Sequence, residues 1–255
     1  MKTISSKLLA TSSHVSAQFT TRKGGVSQPP YDELNLAFHV GDTPASVAEN
    51  HQLLATDIGY VLHNLIHMRQ IHSDRVLIAD DTMTFESPPQ CDAIITNRLD
   101  IPLMVMSADC TPILLYDPIN RAIGAVHAGR AGALNSILIK TLADMEKHYG
   151  TSADTVQIIL GPSIHGCCYE INETIANEVK SQGYQDAVRR EENNVFLEVN
   201  AILLMQLKEY GITAAQIEVI DECTSCHCDD YFSYRANSQN TGRIAGVILL
   251  RSSLS

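Results

Sequence analysis

The chain has 255 residues, 45% of them hydrophobic, and a formal net charge of −11 at pH 7. This length can bury a substantial core, and the acidic balance disfavours nucleic acid, which binds basic surfaces. The only apolar cluster near the N-terminus, residues 8–10, is too short for the core of a signal peptide, and no segment is long enough to span a membrane. We therefore expect a cytoplasmic protein with neither a membrane nor a nucleic-acid partner.

The predicted elements are short apolar strands with helices between them. Thr43-Pro44 predicts the start of a first helix that Gly59 ends. Strands are predicted at 76–79, 93–96, 103–107, 113–116, 121–126, 156–160, 217–220 and 244–250. Between them we predict a helix with its apolar stripe from Leu134 that Gly150 ends, a helix capped by Asn172, and a helix from Val199 that Gly211 ends. Because residues 117–120 form a turn too short for a helix, antiparallel pairs are required. We expect a mixed sheet in a single domain over residues 1–255, since no linker divides the chain.

Three segments each carry a His or Cys at the boundary of an apolar run. They are Gln70-Ile71-His72-Ser73, Ala108-Asp109-Cys110-Thr111-Pro112 and Val126-His127-Ala128-Gly129-Arg130. Any one of these residues alone is more often a packed core side chain. Together they lie at the ends of buried strands, where sites are assembled. Two imidazoles and a thiolate suit zinc or copper, so we expect a metal or thiol site at His72, Cys110 and His127.

Residues 124–131 come close to the phosphate-binding pattern GxxxxGK[ST]. Arg130 stands where that pattern needs lysine and Ala131 where it needs a hydroxyl, which argues against a nucleotide triphosphatase. A strand running into a helix here leaves backbone N–H groups beside a guanidinium. The segment is therefore either a binding site for a phosphate or carboxylate group, or simply a strand-to-helix turn.

The seven cysteines do not resemble a secreted disulfide framework, so we expect mostly reduced thiols. Cys223, Cys226 and Cys228 form a CxxCxC cluster that could supply ligands for zinc or an iron–sulfur centre. A structural zinc site needs a second ligand pair, and the adjacent Cys167 and Cys168 look poorly suited to that role. We therefore expect ordinary thiols here rather than a second metal.

Several motifs, taken in order, resemble those of one known family. They are Arg22-Lys23-Gly24-Gly25-Val26-Ser27, Asn35-Leu36, Gln70-Ile71-His72, Ala108-Asp109-Cys110, Val126-His127-Ala128-Gly129-Arg130, Gly161-Pro162-Ser163-Ile164, Cys168-Tyr169-Glu170, Phe232-Ser233-Tyr234-Arg235 and Thr241-Gly242-Arg243. This set resembles the YfiH-like family, also called multicopper polyphenol oxidase (laccase-like) and including LACC1-type purine nucleoside phosphorylases. The resemblance extends over residues 19–250.

The resemblance implies an α+β fold of the CNF1/YfiH-like cysteine hydrolase type, with mixed sheets packed in a sandwich-like core and peripheral helices. It also implies zinc bound by His72, Cys110 and His127. The activities attributed to the family are phosphorolysis of adenosine, inosine and 5′-methylthioadenosine, deamination of adenosine, copper-dependent oxidation of phenols, and editing of peptidoglycan precursors.

The residues support these activities unequally. A laccase-type centre of several coppers needs dense histidine pairs, whereas the ten histidines here are scattered, although one copper at the His-Cys-His site could give weak oxidation. A three-ligand zinc with an open fourth position suits hydrolytic deamination. Alternatively, Cys110 is a nucleophile with His127 or His72 as its base, as in a thiol hydrolase. A structural zinc in a non-enzymatic binding module also stays open.

Phosphorolysis requires a bound phosphate and contacts to the nucleoside. Arg22, Arg130 and Arg235 are the candidate phosphate clamps, and Asp109 or Asn35 the candidate contacts to ribose or base. Each of these five residues could equally serve a surface ion pair, a turn or a cap. We predict a zinc-dependent purine nucleoside phosphorylase with adenosine deaminase activity, whose small-molecule partners are purine nucleosides and phosphate. The sequence does not predict its oligomeric state.

Overall fold

The computed structural model describes residues 1–252. Its strands are β1 (Thr3–Ser5), β2 (Val15–Thr20), β3 (Ile66–His67), β4 (Val76–Ile78), β5 (Ala93–Thr96), β6 (Leu103–Ser107), β7 (Thr111–Asp117), β8 (Ala122–Ala128), β9 (Gln157–Leu160), β10 (Glu170–Ile171), β11 (Val188–Glu191), β12 (Asn194–Leu197), β13 (Ile217–Val219) and β14 (Ile244–Leu250). The α-helices are α1 (Pro44–Ile58), α2 (Arg130–Leu134), α3 (Ile137–Tyr149), α4 (Glu173–Ser181) and α5 (Val199–Tyr210), with single 3₁₀ turns at Leu62–Asn64, Gln185–Ala187 and Ala214–Gln216. Among these, no helix has the length and apolar character needed to cross a bilayer.

Two mixed sheets form the centre of the fold. The five-stranded sheet has the order β1-β2-β14-β6-β3, and the six-stranded sheet has the order β13-β9-β7-β8-β5-β4. In the second sheet β7 pairs antiparallel with β8 through the turn after Asp117, whereas β9 and β13 run parallel. A small third sheet, β10-β12-β11, packs into the same apolar cluster as α3 and α5. The predicted mixed pairing is therefore confirmed.

The two large sheets pack face to face over an apolar core. Phe19, Val105 and Ile248 of the five-stranded sheet contact Leu114 and Ile159 of the six-stranded sheet in one buried cluster. Helix α1 covers the outer face of the first sheet, and α2, α3 and α5 cover the outer face of the second. This is the sandwich-like core with peripheral helices expected for an α+β fold.

Helix boundaries follow local chemistry. Gly59, Gly150 and Gly211 end α1, α3 and α5 in the left-handed region, which glycine enters without a Cβ clash. The Asn172 side chain caps α4 by accepting the Ile175 N–H, as predicted. The helix predicted from Leu134 begins instead at Ile137, because a left-handed Ser136 (φ 58°) separates it from the short α2.

Two connections cross from one large sheet to the other. Residues 68–75 join β3 of the five-stranded sheet to β4 of the six-stranded sheet, and residues 108–110 join β6 to β7 in the same sense. His72 lies on the first connection and Cys110 on the second. His127 lies near the end of β8, next to β7. The topology therefore brings all three to one end of the sandwich.

Candidate metal centre

His72, Cys110 and His127 converge. Their candidate ligand atoms lie within 4.8 Å of one another, although the residues are distant in sequence. His127 is buried, Cys110 is half-buried and His72 is exposed, so the group opens to one side. The two imidazole rings meet edge to face, with centroids 4.9 Å apart. Two nitrogens and a thiolate with an open side form a donor set that fits zinc.

A buried carboxylate orients this group from behind. Asp92 Oδ1 accepts the Nδ1–H of His127 at 2.9 Å, which leaves Nε2 of the ring for Cys110 or a metal. The same oxygen accepts the backbone N–H of His72 at 3.0 Å, and Oδ2 accepts the N–H of Ser73 at 2.7 Å. Asp92 therefore fixes both the His127 ring and the left-handed turn at His72 (φ 57°).

The charges in the group favour a thiolate. Burial raises the pKa of the Cys110 thiol, but the adjacent His127 and His72 outweigh it and lower the pKa to about 6. Burial likewise opposes protonation of His127, yet Cys110 and Asp92 raise its pKa to about 9. Burial would raise the pKa of Asp92, but hydrogen bonds from His127 and Ser73 lower it to about 2. Without metal, Cys110 and His127 thus form an ion pair, and a metal cation would take the place of the His127 proton.

Gly129 allows the sulfur to approach the backbone. A Cβ at this position would lie 2.9 Å from Cys110 Sγ and 3.4 Å from His72 Cδ2. The residue has an extended backbone (φ −78°, ψ 177°), so space rather than conformation requires glycine here.

The group lies on the wall of a cavity of about 1150 Å³. Its charged lining comprises Arg69, Arg130, Arg235, Arg243, Glu86 and Asp109, in addition to histidines. Both oxygens of Asp109 are already engaged, by Thr224 Oγ1 and by the backbone N–H of Arg235, each at 2.7 Å. The cavity is therefore locally cationic in a chain of net charge −11.

Arg130 and Arg235 line this cavity from two segments that are distant in sequence. Arg130 begins α2, and its Nη1 lies 2.7 Å from Glu178 Oε2. Arg235 donates to the carbonyls of Cys168 and Glu170 at 3.3 and 3.0 Å, and its guanidinium lies 5.3 Å from the centroid of the Tyr169 ring. Both keep further N–H groups available for an anion.

Arg22 and Asn35 do not line the cavity, in contrast to the expectation from sequence. The Arg22 guanidinium stacks on Phe232 and donates to the carbonyls of Asp32 and Cys228. Asn35 is fully buried, and its side chain bonds the backbone at Ala37 and Arg243. Both side chains use their polar atoms to hold loops together.

An aromatic wall forms another part of the cavity. Phe38, His39, His67 and Phe85 line it, and the Phe38 and Phe85 rings meet with centroids 6.1 Å apart. Burial lowers the pKa of His39 and of His67, which disfavours a positive charge on this wall. It offers flat apolar surface beside the cationic lining.

Sequence reasoning missed Asp92, Arg69 and Arg243. The signal for Asp92 was an acidic residue placed immediately before the apolar run of β5. Arg243 follows Thr241-Gly242, a motif noted only for its resemblance. Its N–H bonds Asn35 Oδ1, and its Nη1 bonds the carbonyls of Thr241 and Gly242, which turn the guanidinium towards the cavity.

The cysteine pairs come together, contrary to expectation. Cys167, Cys168, Cys223 and Cys226 form a second group whose sulfurs lie within 4.8 Å of one another, and Cys228 is not part of it. The adjacent pair can complement the CxxC pair because β9 and β13 are parallel neighbours, so the segments that follow them run side by side.

The fold and this site define an α+β sandwich with a candidate metal centre where connections cross between its two sheets. Residues 16–251 match the family model described as "Multi-copper polyphenol oxidoreductase laccase", and the chain belongs to this family. It is 38% identical over 235 residues to a purine nucleoside phosphorylase of Corynebacterium glutamicum, covering 91% of this chain and 93% of the relative.

Two solved structures are similar in fold and sequence. The protein YfiH of Bacillus licheniformis has a TM-score of 0.87 at 30% identity, with 93% of each chain covered. The protein NMB0706 of Neisseria meningitidis has a TM-score of 0.88 at 28% identity, covering 99% of this chain and 100% of that one. These similarities bear out the predicted family and fold class.

Proposed function

We propose that the protein is a zinc-dependent purine nucleoside phosphorylase that acts on adenosine, inosine and 5′-methylthioadenosine and also deaminates adenosine. The observation that carries the proposal is the cationic cavity, whose lining brings four arginines together with the His72, Cys110 and His127 group and an aromatic wall. Such a cavity suits an anion together with a flat base. The Corynebacterium glutamicum relative is named a purine nucleoside phosphorylase, which supports the phosphorylase part of the proposal.

The side chains divide the substrates between them. Phosphate binds to the free N–H groups of Arg130 and Arg235, since charge-assisted hydrogen bonds are the strong ones. The purine lies against Phe38 and Phe85, whose rings offer an apolar stacking surface. The ribose then lies between them, close to the His-Cys-His group.

In phosphorolysis an oxygen of phosphate bonds to C1′ of the ribose while the bond from C1′ to N9 breaks. The electron pair leaves with the purine, which takes up a proton, and the sugar becomes ribose 1-phosphate. Arg130 and Arg235 hold the phosphate in line with C1′, which converts an encounter between two solutes into a reaction within one complex. When bound at His72, Cys110 and His127, zinc supplies a Lewis acid that can activate water for removal of the adenine amino group.

Product analysis tests the proposal. Metal-quantified protein is incubated with adenosine, inosine and 5′-methylthioadenosine, with and without phosphate, and the products are separated by chromatography. We expect free base to appear only with phosphate, and inosine to form from adenosine in either condition. Base release at the same rate without phosphate would mean hydrolysis and would remove the phosphorylase assignment.

Cys110→Ala separates a catalytic centre from a structural one. We expect a folded variant with near-native thermal melting and no turnover. A structural zinc would instead contribute to folding, so its loss would unfold the chain.

A thiol hydrolase is the second candidate, and one observation favours it. Cys110, His127 and Asp92 stand in the order nucleophile, base and orienting carboxylate, with the pKa of Cys110 lowered to about 6. Activity that survives complete chelation but is lost to iodoacetamide would support this candidate. Activity that is lost on chelation and restored by zinc would support the zinc-dependent phosphorylase. Loading the protein with copper in place of zinc tests the phenol oxidation attributed to the family.

A further inference from the structure

The four-cysteine group lies on two segments that leave the six-stranded sheet together. Cys167 and Cys168 follow β9, and Cys223 and Cys226 follow β13. Beyond these parallel strands, a bridge between Ser163 and Cys223 keeps the segments in register. The convergence of the four sulfurs is therefore built into the sheet topology.

The spacing of the sulfurs fits one small cation. Cys168 Sγ lies 3.3 Å from Cys226 Sγ and 3.7 Å from Cys167 Sγ, and Cys167 Sγ lies 3.5 Å from Cys226 Sγ. Four sulfurs at about 2.3 Å from a tetrahedral zinc stand roughly 3.8 Å apart. A disulfide would bring two of them to about 2.05 Å. An iron–sulfur cluster would hold them further apart, because iron and sulfide atoms lie between the ligands.

Core packing does not account for this group. Cys167 and Cys226 are exposed, Cys168 is half-buried and only Cys223 is buried, whereas a cysteine that serves as a small hydrophobe is normally buried. Burial therefore does not explain why the two exposed thiols and the half-buried one lie in contact with one another and with Cys223.

Backbone hydrogen bonds fix the position of Cys223 in this group. The backbone N–H of His165 donates to Cys223 Sγ at 3.5 Å, and the backbone N–H of Thr224 donates to the carbonyl of Ser163 at 3.0 Å. The two cysteine-bearing segments are therefore held against each other by the backbone as well as by the contacts between the sulfurs.

The same two segments support the cavity wall. The Cys168 and Glu170 carbonyls accept hydrogen bonds from the Arg235 guanidinium, and the Thr224 hydroxyl donates a hydrogen bond to the Asp109 carboxylate. An ion joining the segments would fix this wall. With four sulfur ligands it would have no open position for substrate, as in structural zinc sites.

We propose that Cys167, Cys168, Cys223 and Cys226 bind one structural zinc ion, distinct from the His72, Cys110 and His127 centre. The proposal does not depend on the proposed function. It predicts a second zinc per chain whether or not the protein cleaves nucleosides.

Metal content in matched variants tests the proposal. Zinc per chain is measured by plasma mass spectrometry in the full-length wild type, Cys226→Ser, Cys228→Ser and Cys110→Ala. We expect Cys226→Ser to lose about one zinc, Cys228→Ser to lose none, and Cys110→Ala to keep the zinc of the four-cysteine group. Cobalt substitution should give intense sulfur-to-cobalt charge-transfer absorption, and Cys226→Ser should lose the part of it that Cys110→Ala keeps, because Cys110 is a sulfur ligand of the other centre. Equal zinc content and equal cobalt spectra in Cys226→Ser and wild type would overturn the proposal.

A measurement on the wild type covers the case in which Cys226→Ser does not fold. Stepwise titration with a mercurial reagent, read with a zinc indicator, should release one zinc as the four thiols of the group react, in addition to any zinc that the reaction of Cys110 releases, and chelation should make these thiols accessible. Thiols that react without releasing zinc would contradict the site. A count that rises by two thiols on reduction, in zinc-free protein, would show a disulfide instead and overturn it.

Discussion

Asp92 holds His127 by a 2.9 Å hydrogen bond from the ring Nδ1–H to the carboxylate Oδ1, and both side chains are almost completely buried. The same oxygen accepts the backbone N–H of His72, so one carboxylate orients two of the three residues that could bind metal. No sequence motif predicts that Asp92 contacts His127 and His72.

Asp92→Asn should weaken zinc binding at His72, Cys110 and His127. The amide nitrogen or oxygen of Asn can satisfy some of the Asp92 partners, but it cannot supply the negative charge behind His127. Loss of such a carboxylate lowers metal affinity by roughly 10- to 100-fold. Competition with a zinc chelator measures the change.

Asp117→Asn is the matched control, because Asp117 is equally buried but accepts the backbone N–H groups of Ile119 and Asn120 at the β7–β8 turn. It should reduce the free energy of unfolding and leave zinc affinity unchanged. If both variants bound zinc as tightly as the wild type, the orienting role of Asp92 would be wrong.

Gly129→Ala should impair the centre without unfolding the protein. The new Cβ would lie 2.9 Å from Cys110 Sγ, so the sulfur has to move. Misplacement of a reacting group by a fraction of an ångström to one ångström lowers turnover by roughly 10- to 100-fold. Steady-state kinetics and zinc titration measure this effect, with thermal melting as the check on folding.

Gly132→Ala provides the comparison within α2. Its Cβ would meet Ile137 Cγ2 at 3.3 Å and would not approach Cys110. Turnover close to wild type is expected for this variant. Equal activity in the two alanine variants would argue against a spatial requirement at Gly129.

Arg130→Gln and Arg235→Gln should raise the KM for phosphate more than the KM for nucleoside. Each variant loses a hydrogen bond from a charged group, worth about 1.5–3 kcal/mol, or roughly 10- to 100-fold. Initial rates at varied phosphate with saturating inosine, and at varied inosine with saturating phosphate, give the two constants. Arg98→Gln serves as the control because Arg98 pairs with Asp81 at the surface, outside the cavity. A phosphate KM unchanged in both cavity variants would place the anion elsewhere.

Glu218 should make the protein less stable in acid. Its carboxylate accepts the Ser6 hydroxyl at 2.6 Å and the N–H groups of Lys7 and Leu8 at 3.0 Å each, fastening the N-terminal segment to β13. Burial opposes ionisation, but these hydrogen bonds prevail and lower the pKa below its ordinary value of 4.5. Its stabilisation is therefore complete above about pH 4.5 and is lost as the pH falls through the lower folded-state pKa.

Glu218→Gln should cost about 1–2 kcal/mol at pH 7 and make the decline in stability towards acid shallower. Urea unfolding at several pH values measures both effects, and the exposed Glu209→Gln on α5 is the control. Parallel stability curves for wild type and Glu218→Gln would contradict the assignment.

The sequence was a good guide to the fold wherever burial dominates. All eight predicted strands form, because runs such as Ile244–Leu250 are buried along their whole length. The small third sheet was missed, since Val188–Glu191 is mostly exposed and charged and carries no apolar periodicity. The edge strand Thr3–Ser5 and its neighbour Val15–Thr20 were missed as well, because short alternating segments near a terminus give a weak signal.

The site was less predictable than the fold. His72, Cys110 and His127 could be picked out because their residue types have few uses in apolar surroundings. The position of Arg22 could not be predicted, since two of its hydrogen-bond partners are backbone carbonyls, which carry no sequence signal. The pairing of Cys167 and Cys168 with the CxxC segment depends on β9 and β13 being neighbours, which appears only in three dimensions.

The two connections that carry His72 and Cys110 each pass from the five-stranded to the six-stranded sheet, whereas His127 belongs to the six-stranded sheet alone. A cation held by all three residues would therefore link the two sheets. Any local opening that moves one sheet away from the other at this end would also have to release the ion. The rate at which labelled zinc exchanges at this centre would then report how often the two sheets separate there.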